Sequence, residues 1–93
     1  MIEIPESDRA EVIRALLAQG IFRIPAPTEF SEDILEKARG IFGEALNLPE
    51  WNAGENYMNA GMAAVMVYLK ETYPWLSQDA IYAVRHECMM YMK

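Results

Sequence analysis

The side chains best suited to catalysis in this chain are its one histidine and one cysteine, His86 and Cys88, which stand two positions apart. On a helix, residues at that spacing point about 200° apart, so the pair cannot easily bind one metal ion. No nucleophile or orienting carboxylate is identifiable beside His86. We therefore interpret His86 as an exposed helix residue and Cys88 as a small buried apolar residue.

Other motifs for metal chemistry are incomplete. His86 and Glu87 begin the zinc-protease pattern, but Met90 stands where a second histidine is needed. Thioethers could bind copper(I), but methionines at helical spacing, as here, are more typical of packing surfaces: Met58, Met62 and Met66. The sequence therefore predicts no catalytic residue, no metal site and no cofactor, and an enzyme is not expected.

The charge balance favours a protein partner over nucleic acid or a membrane. The 93 residues include 14 acidic and 8 basic side chains, a formal net charge of −6. Such a chain repels phosphate backbones and anionic membrane surfaces and attracts basic partners. The N-terminal residues lack the basic and apolar regions of a signal peptide, and the lone cysteine fits a reducing compartment, so we expect a cytoplasmic location.

Helix-start residues and the spacing of apolar residues predict an all-α fold, a compact four-helix bundle-like domain over residues 1–93. The four helices are expected at about 8–19, 32–46, 55–73 and 78–92. The longest stretch without a charge, residues 56–69, would span only about 21 Å as a helix, too short to cross a bilayer.

The helix ends carry recognisable capping residues. Ser7 or Asp8 is predicted to cap the first helix, with Glu11 placed to reach back to Asp8, and Ser31 and Ser77 are predicted N-caps of later helices. Apolar residues before the last two of these caps, Phe30 and Leu76, are placed to pack against residues one turn into each helix. Gly20 is predicted to end the first helix in a left-handed conformation.

The third helix is apolar on nearly every side. Between Tyr57 and Leu69 its only clearly polar side chain is Asn59. We interpret it as the central helix, wrapped by the other three. The alternative is that one face, formed by Met58, Met62 and Met66, contacts a second copy or another protein, because methionine adapts to varied surfaces.

Size, acidity and a serine at a predicted helix start, Ser31, resemble features of acyl carrier proteins, in which such a serine carries the prosthetic arm. Ser31 stands between Phe30 and Glu32, whereas that family has Asp-Ser-Leu. No prosthetic group is therefore predicted.

An acidic surface and three aromatic residues are the candidate partner-binding features. Carboxylates at the start of the second helix could steer a basic protein: Glu29, Glu32, Asp33 and Glu36. Large rings near turns, Trp51, Tyr73 and Trp75, could anchor it, or could equally cap the core. The acidic cluster could also serve solubility alone.

Two functional hypotheses follow. The first is a non-enzymatic acidic module that covers a basic surface of a target protein, as nuclease-inhibiting immunity proteins, antitoxins and phage-encoded inhibitors do. The alternative is a homo-oligomeric structural or assembly subunit, a homodimer in its simplest form, that uses the methionine-rich third helix as its contact. Concentration-dependent mass distinguishes the two.

Overall fold

The computed structural model describes residues 1–18 and 29–92. Within these ranges the chain forms four α-helices and three short 3-10 turns, without a strand. The helices are α1 (Arg9–Leu17), α2 (Glu32–Leu46), α3 (Tyr57–Thr72) and α4 (Gln78–Met92). The all-α four-helix prediction is confirmed. The Cα radius of gyration, 12.8 Å, is close to the roughly 12 Å expected for a compact chain of this length.

Two helices have the predicted bounds, α2 and α4, and two differ at their ends. α1 starts after a 3-10 turn and ends at Leu17, followed by Ala18 in an extended conformation. Residue 19 and the predicted stop at Gly20 lie outside the described residues. α3 begins at Tyr57 rather than at 55, because residues 54–56 form a separate 3-10 turn in which Gly54 has a left-handed φ of 69°.

Serine caps begin α2 and α4 as predicted. The Ile34 N–H donates to the Ser31 hydroxyl oxygen, and the Ala80 N–H donates to that of Ser77, each over 3.2 Å. Both hydroxyls thus satisfy a backbone donor that has no partner within the helix. Ser31, the serine compared with a prosthetic-group site, therefore has a structural role in this fold.

The predicted cap at Asp8 is wrong. Asp8 makes no capping hydrogen bond to α1, and its carboxylate instead accepts one from Lys37 of α2, 3.0 Å away. Glu11 does not reach back to Asp8 but forms an ion pair with Arg14 at 2.6 Å. A charged lysine is a stronger donor than a backbone amide, so Asp8 links α1 to α2 rather than stabilising its own helix.

Both α2 and α4 contact all three other helices, whereas α3 packs mainly against α4 and the 3-10 turn Pro49–Asn52 and only slightly against α2. α3 fully buries one narrow stripe, formed by Gly61, Val65 and Leu69. The other three helices therefore do not wrap around α3 as expected. One side of α3 is covered by a short turn, and its outer side has no helix upon it within the described residues.

Candidate functional site

The predicted acidic face lies at the start of α2, where all four carboxylates are exposed: Glu29, Glu32, Asp33 and Glu36. Ser31 fixes the beginning of the helix, so the positions of the three helical carboxylates follow from the helical repeat. Negative charge is favourable in the first turn because unpaired backbone N–H groups point there. The face therefore forms without local strain.

Ion pairs divide these four carboxylates into two kinds. Asp33 accepts a hydrogen bond from Lys37, and Glu32 lies 3.4 Å from Arg39. The hydrogen bonds that Lys37 makes to Asp33 and Asp8 raise its pKa above 10.5, so it stays charged. Lys37 and Arg39 thus offset part of the negative charge on this face.

Glu29 and Glu36 are different, because neither has an ion-pair partner among residues 1–18 and 29–92. Both side chains are exposed, so their charges act on the surrounding solvent with the least local compensation. These two residues are therefore the strongest candidates for attracting a basic partner.

Two of the three aromatic candidates lie in the core rather than at the surface. Trp51 is 5% exposed, its indole N–H donates to the Ala45 carbonyl at 2.8 Å, and its ring lies against Gly61. Tyr73 is 2% exposed. Of the two alternatives predicted for these rings, partner contact beside a turn or burial in the core, both residues follow the second. Neither ring is therefore available to anchor a partner.

Trp75 remains accessible. Its side chain is half-buried, its ring meets Tyr73 edge-on at 5.9 Å between centroids, and the Arg9 guanidinium lies 5.4 Å from its ring centroid. It lines a cleft of about 610 Å³ between the N-terminal residues 1–6 and the turn after α3. Of the three predicted anchors, Trp75 alone could contact a partner without rearrangement.

Glu44 forms a hydrogen-bonded cluster that the sequence did not reveal. Its carboxylate accepts from the hydroxyls of Tyr73 and Tyr68, at 2.5 and 3.1 Å, and pairs with the Met1 ammonium at 2.9 Å. The Ile2 N–H donates to the Tyr73 hydroxyl. The cluster thus ties the N-terminal residues to α2 and α3.

The surroundings of Glu44 change its acidity and that of its partners. Partial burial opposes ionisation of Glu44, but the hydrogen bonds from Tyr73, the terminal ammonium and Tyr68 outweigh this effect and hold its pKa below 4.5. Burial, together with the hydrogen bond to Glu44, raises the pKa of Tyr73 well above 10 and also raises that of Tyr68. The carboxylate and both phenols therefore keep one protonation state around neutral pH.

The methionine face of α3 is not an open surface. Met58, Met62 and Met66 are half-buried and pack against the hydrophobic core. Self-association through these residues has to use only the parts of the side chains that remain outside the core. The structure therefore gives this contact less free surface than the sequence pattern implied.

The apolar surface of α3 that faces outward is formed by three alanines, Val67 and Tyr68. Ala63 and Val67 are exposed, the latter by 56%, and Ala60 and Ala64 are half-buried. With the preceding turn, which contributes residues 48–50, they line an open groove of about 510 Å³. The sequence pattern alone does not connect these residues with the turn beside them.

The described residues offer little for catalysis. Burial, with a smaller effect of Glu87, raises the pKa of Cys88 to about 12, so its thiol is not a thiolate nucleophile at neutral pH. His86 is exposed on α4. Residues 1–18 and 29–92 contain no group of three His, Cys, Asp or Glu side chains that could hold a metal ion.

None of the helices in residues 1–18 and 29–92 has the length and hydrophobicity needed to cross a membrane.

Comparison with protein-family models, curated proteins and solved structures finds no match for this chain. Its function is therefore inferred from its own residues.

Proposed function

We propose that this chain is a non-enzymatic, cytoplasmic protein-binding module that covers a basic surface of another protein, as inhibitors, immunity proteins and antitoxins do. The observation that carries the proposal is the exposed acidic face of α2, where Glu29 and Glu36 have no ion-pair partner within the described residues. With a net charge of −6, the protein attracts basic surfaces over distances of about a Debye length, roughly 8 Å at physiological salt.

The burial and protonation of the Cys88 thiol support a binding role. Cys88 is buried and has a raised pKa, and a buried neutral thiol is a poor nucleophile. The exposed carboxylates of α2 stand at a helix start and on a solvent-facing surface, where they favour electrostatic attraction more than proton transfer in an enclosed site.

Affinity capture tests the proposal. The tagged protein is incubated with lysate of its native host at about 50 mM and about 500 mM salt, and retained proteins are identified by mass spectrometry. We expect one basic protein at low salt and much less of it at high salt, because salt screens exposed charges. Recovery of only untagged copies of the chain would instead support the homo-oligomeric alternative through Met58, Met62 and Met66.

A matched pair of variants separates the acidic face from net charge. Glu29→Gln with Glu36→Gln removes two charges from the face, and Glu55→Gln with Asp79→Asn removes two from exposed positions elsewhere. Capture of the basic protein at low salt should fall for the first variant and stay near the wild-type level for the second. Equal recovery with both variants would show that the α2 face has no special role.

A further inference from the structure

The outer face of α3 is unusual for a helix exposed to water. A surface helix normally carries polar residues on its solvent side. Here the middle of that side is formed by Ala60, Ala63, Ala64 and Val67, which follow the i, i+3, i+4, i+7 spacing of a single helical face. Leu48 and Pro49 form a wall beside them. We call this surface, with its flanking residues Glu50 and Glu71, the α3 groove.

The charged residues of the α3 groove are both acidic. Glu50 and Glu71 line it and are exposed, and no lysine or arginine lines it. Neither glutamate has an ion-pair partner in residues 1–18 and 29–92. The groove therefore combines an apolar floor with uncompensated negative charge at its edge.

We propose that the α3 groove binds an amphipathic basic helix of the partner protein, an inference that rests on the proposed function and adds a second contact to the acidic face of α2. The partner's apolar side chains lie on Ala60, Ala63 and Val67, and its lysine or arginine side chains reach Glu50 and Glu71. Small side chains permit close approach of two helices, and interaxial distances of about 8 Å are typical of such contacts. Residues 60–71 span about 16 Å, which matches three turns of a partner helix.

Charge complementarity favours this occupant over a second copy of the chain. An isologous dimer through the groove would place the Glu50 and Glu71 carboxylates of two copies on one small surface that has no lining cation to neutralise them. Like charges brought together in this way oppose association, whereas a basic helix neutralises both carboxylates.

The test is a titration of the ¹⁵N-labelled protein with synthetic 14-residue helical peptides, followed by amide chemical shifts. The first peptide has leucines at i, i+3, i+4 and i+7 flanked by lysines. In the second, glutamates replace the lysines, and in the third, serines replace the leucines. We expect saturable 1:1 binding of the first peptide alone, with the largest shifts in residues 60–71.

Two lysine substitutions on α3 provide a matched control. Val67→Lys places a cation in the groove, and Asn59→Lys adds the same charge at an exposed position of α3 that does not line it. Val67→Lys should weaken binding of the leucine-lysine peptide at least tenfold, and Asn59→Lys less than threefold. Both positions are exposed, and circular dichroism checks that both variants remain folded.

Several results would overturn the proposal. These are no binding of the leucine-lysine peptide, shifts confined to residues 29–36, or equal weakening by Val67→Lys and Asn59→Lys. A concentration-dependent dimer of the protein alone that Val67→Lys dissociates would assign the groove to a second copy.

Capture from host lysate distinguishes a failure of the groove assignment from a failure of the proposed binding function. If the wild-type protein retains a basic partner and Val67→Lys retains it as well as Asn59→Lys does, the groove assignment fails and the binding function stands. If the wild-type protein retains no basic partner, the proposed function itself fails, whatever the peptides do.

Discussion

Replacement of Gly61 by alanine tests the packing that removes Trp51 from the surface. Gly61 lies on the buried stripe of α3, and a Cβ atom built on it would overlap three atoms of the Trp51 ring. The ring cannot retreat freely, because its N–H is held by the Ala45 carbonyl at 2.8 Å. Gly61→Ala therefore forces the turn Pro49–Asn52 away from α3.

The expected change in the free energy of unfolding on Gly61→Ala is the sum of opposing contributions. Overpacking a filled core costs about 1–3 kcal/mol, and weakening the indole hydrogen bond costs about 1 kcal/mol. The better helix propensity of alanine returns about 1 kcal/mol. We therefore expect Gly61→Ala to lower the free energy of unfolding by about 1–3 kcal/mol, and Tm to fall by at least about 4 °C for a domain of this size.

Gly43→Ala is the matched control, since Gly43 is also inside a helix and its added Cβ would meet nothing within 4 Å among the described residues. It should raise the free energy of unfolding by up to about 1 kcal/mol. Urea titrations followed by circular dichroism measure both variants. If Gly61→Ala proves as stable as Gly43→Ala, the close contact between Trp51 and α3 is refuted.

Three further predictions follow from single residues. Ser31→Ala should reduce the free energy of unfolding by about 1 kcal/mol in a urea titration, and a loss no larger than that of Ser7→Ala, an exposed control, would contradict the cap. Because the pKa of Glu44 is lowered on folding, its carboxylate stabilises the fold fully above pH 4.5 and progressively less as the pH falls through the lowered value. Glu44→Gln should therefore cost about 1–3 kcal/mol at pH 7 and much less near pH 2, and a cost independent of pH would refute the ionic cluster. Cys88 should react with iodoacetamide at pH 8 only after unfolding in urea, because burial raises the pKa of its thiol to about 12. Mass spectrometry measures the modification, and rapid reaction of the folded protein would show that the thiol is not buried.

The features that sequence predicted well depend on nearby residues. Ser31 and Ser77 cap helices through hydrogen bonds to residues three positions away. The starts of α2 and α4 follow from these caps, and the end of α2 follows from Asn47 and Pro49 after it. The acidic face of α2 was also identifiable, because its carboxylates lie on the side opposite the apolar stripe of the same helix.

The features that sequence missed depend on distant residues. Asp8 bonds to Lys37 across 29 positions instead of capping α1, and Glu44 meets Tyr73 at the same separation. Trp51 and Tyr73 follow turn or helix-end signals that place large rings near a surface, yet each finds a hydrogen-bond partner that allows burial. Tertiary contacts of this kind have no periodic pattern, so a single sequence does not reveal them.

The position of α3 shows the same limit. Its apolar composition indicated burial on all sides, but a short turn covers one side and leaves small residues facing outward. Glycine at position 61 was the available clue, since a glycine inside a helix can mark a close approach of another group. Nothing in the sequence indicates that the approaching group is Trp51.

The most direct test of the acidic-face proposal is the association rate constant of the captured basic partner, measured by stopped flow at about 20 mM and about 500 mM salt. At low salt we expect Glu29→Gln with Glu36→Gln to slow association severalfold more than Glu55→Gln with Asp79→Asn, and the difference to vanish at high salt. Equal rates for the two double variants at low salt would contradict the proposal that the exposed carboxylates of α2 steer this protein to its partner.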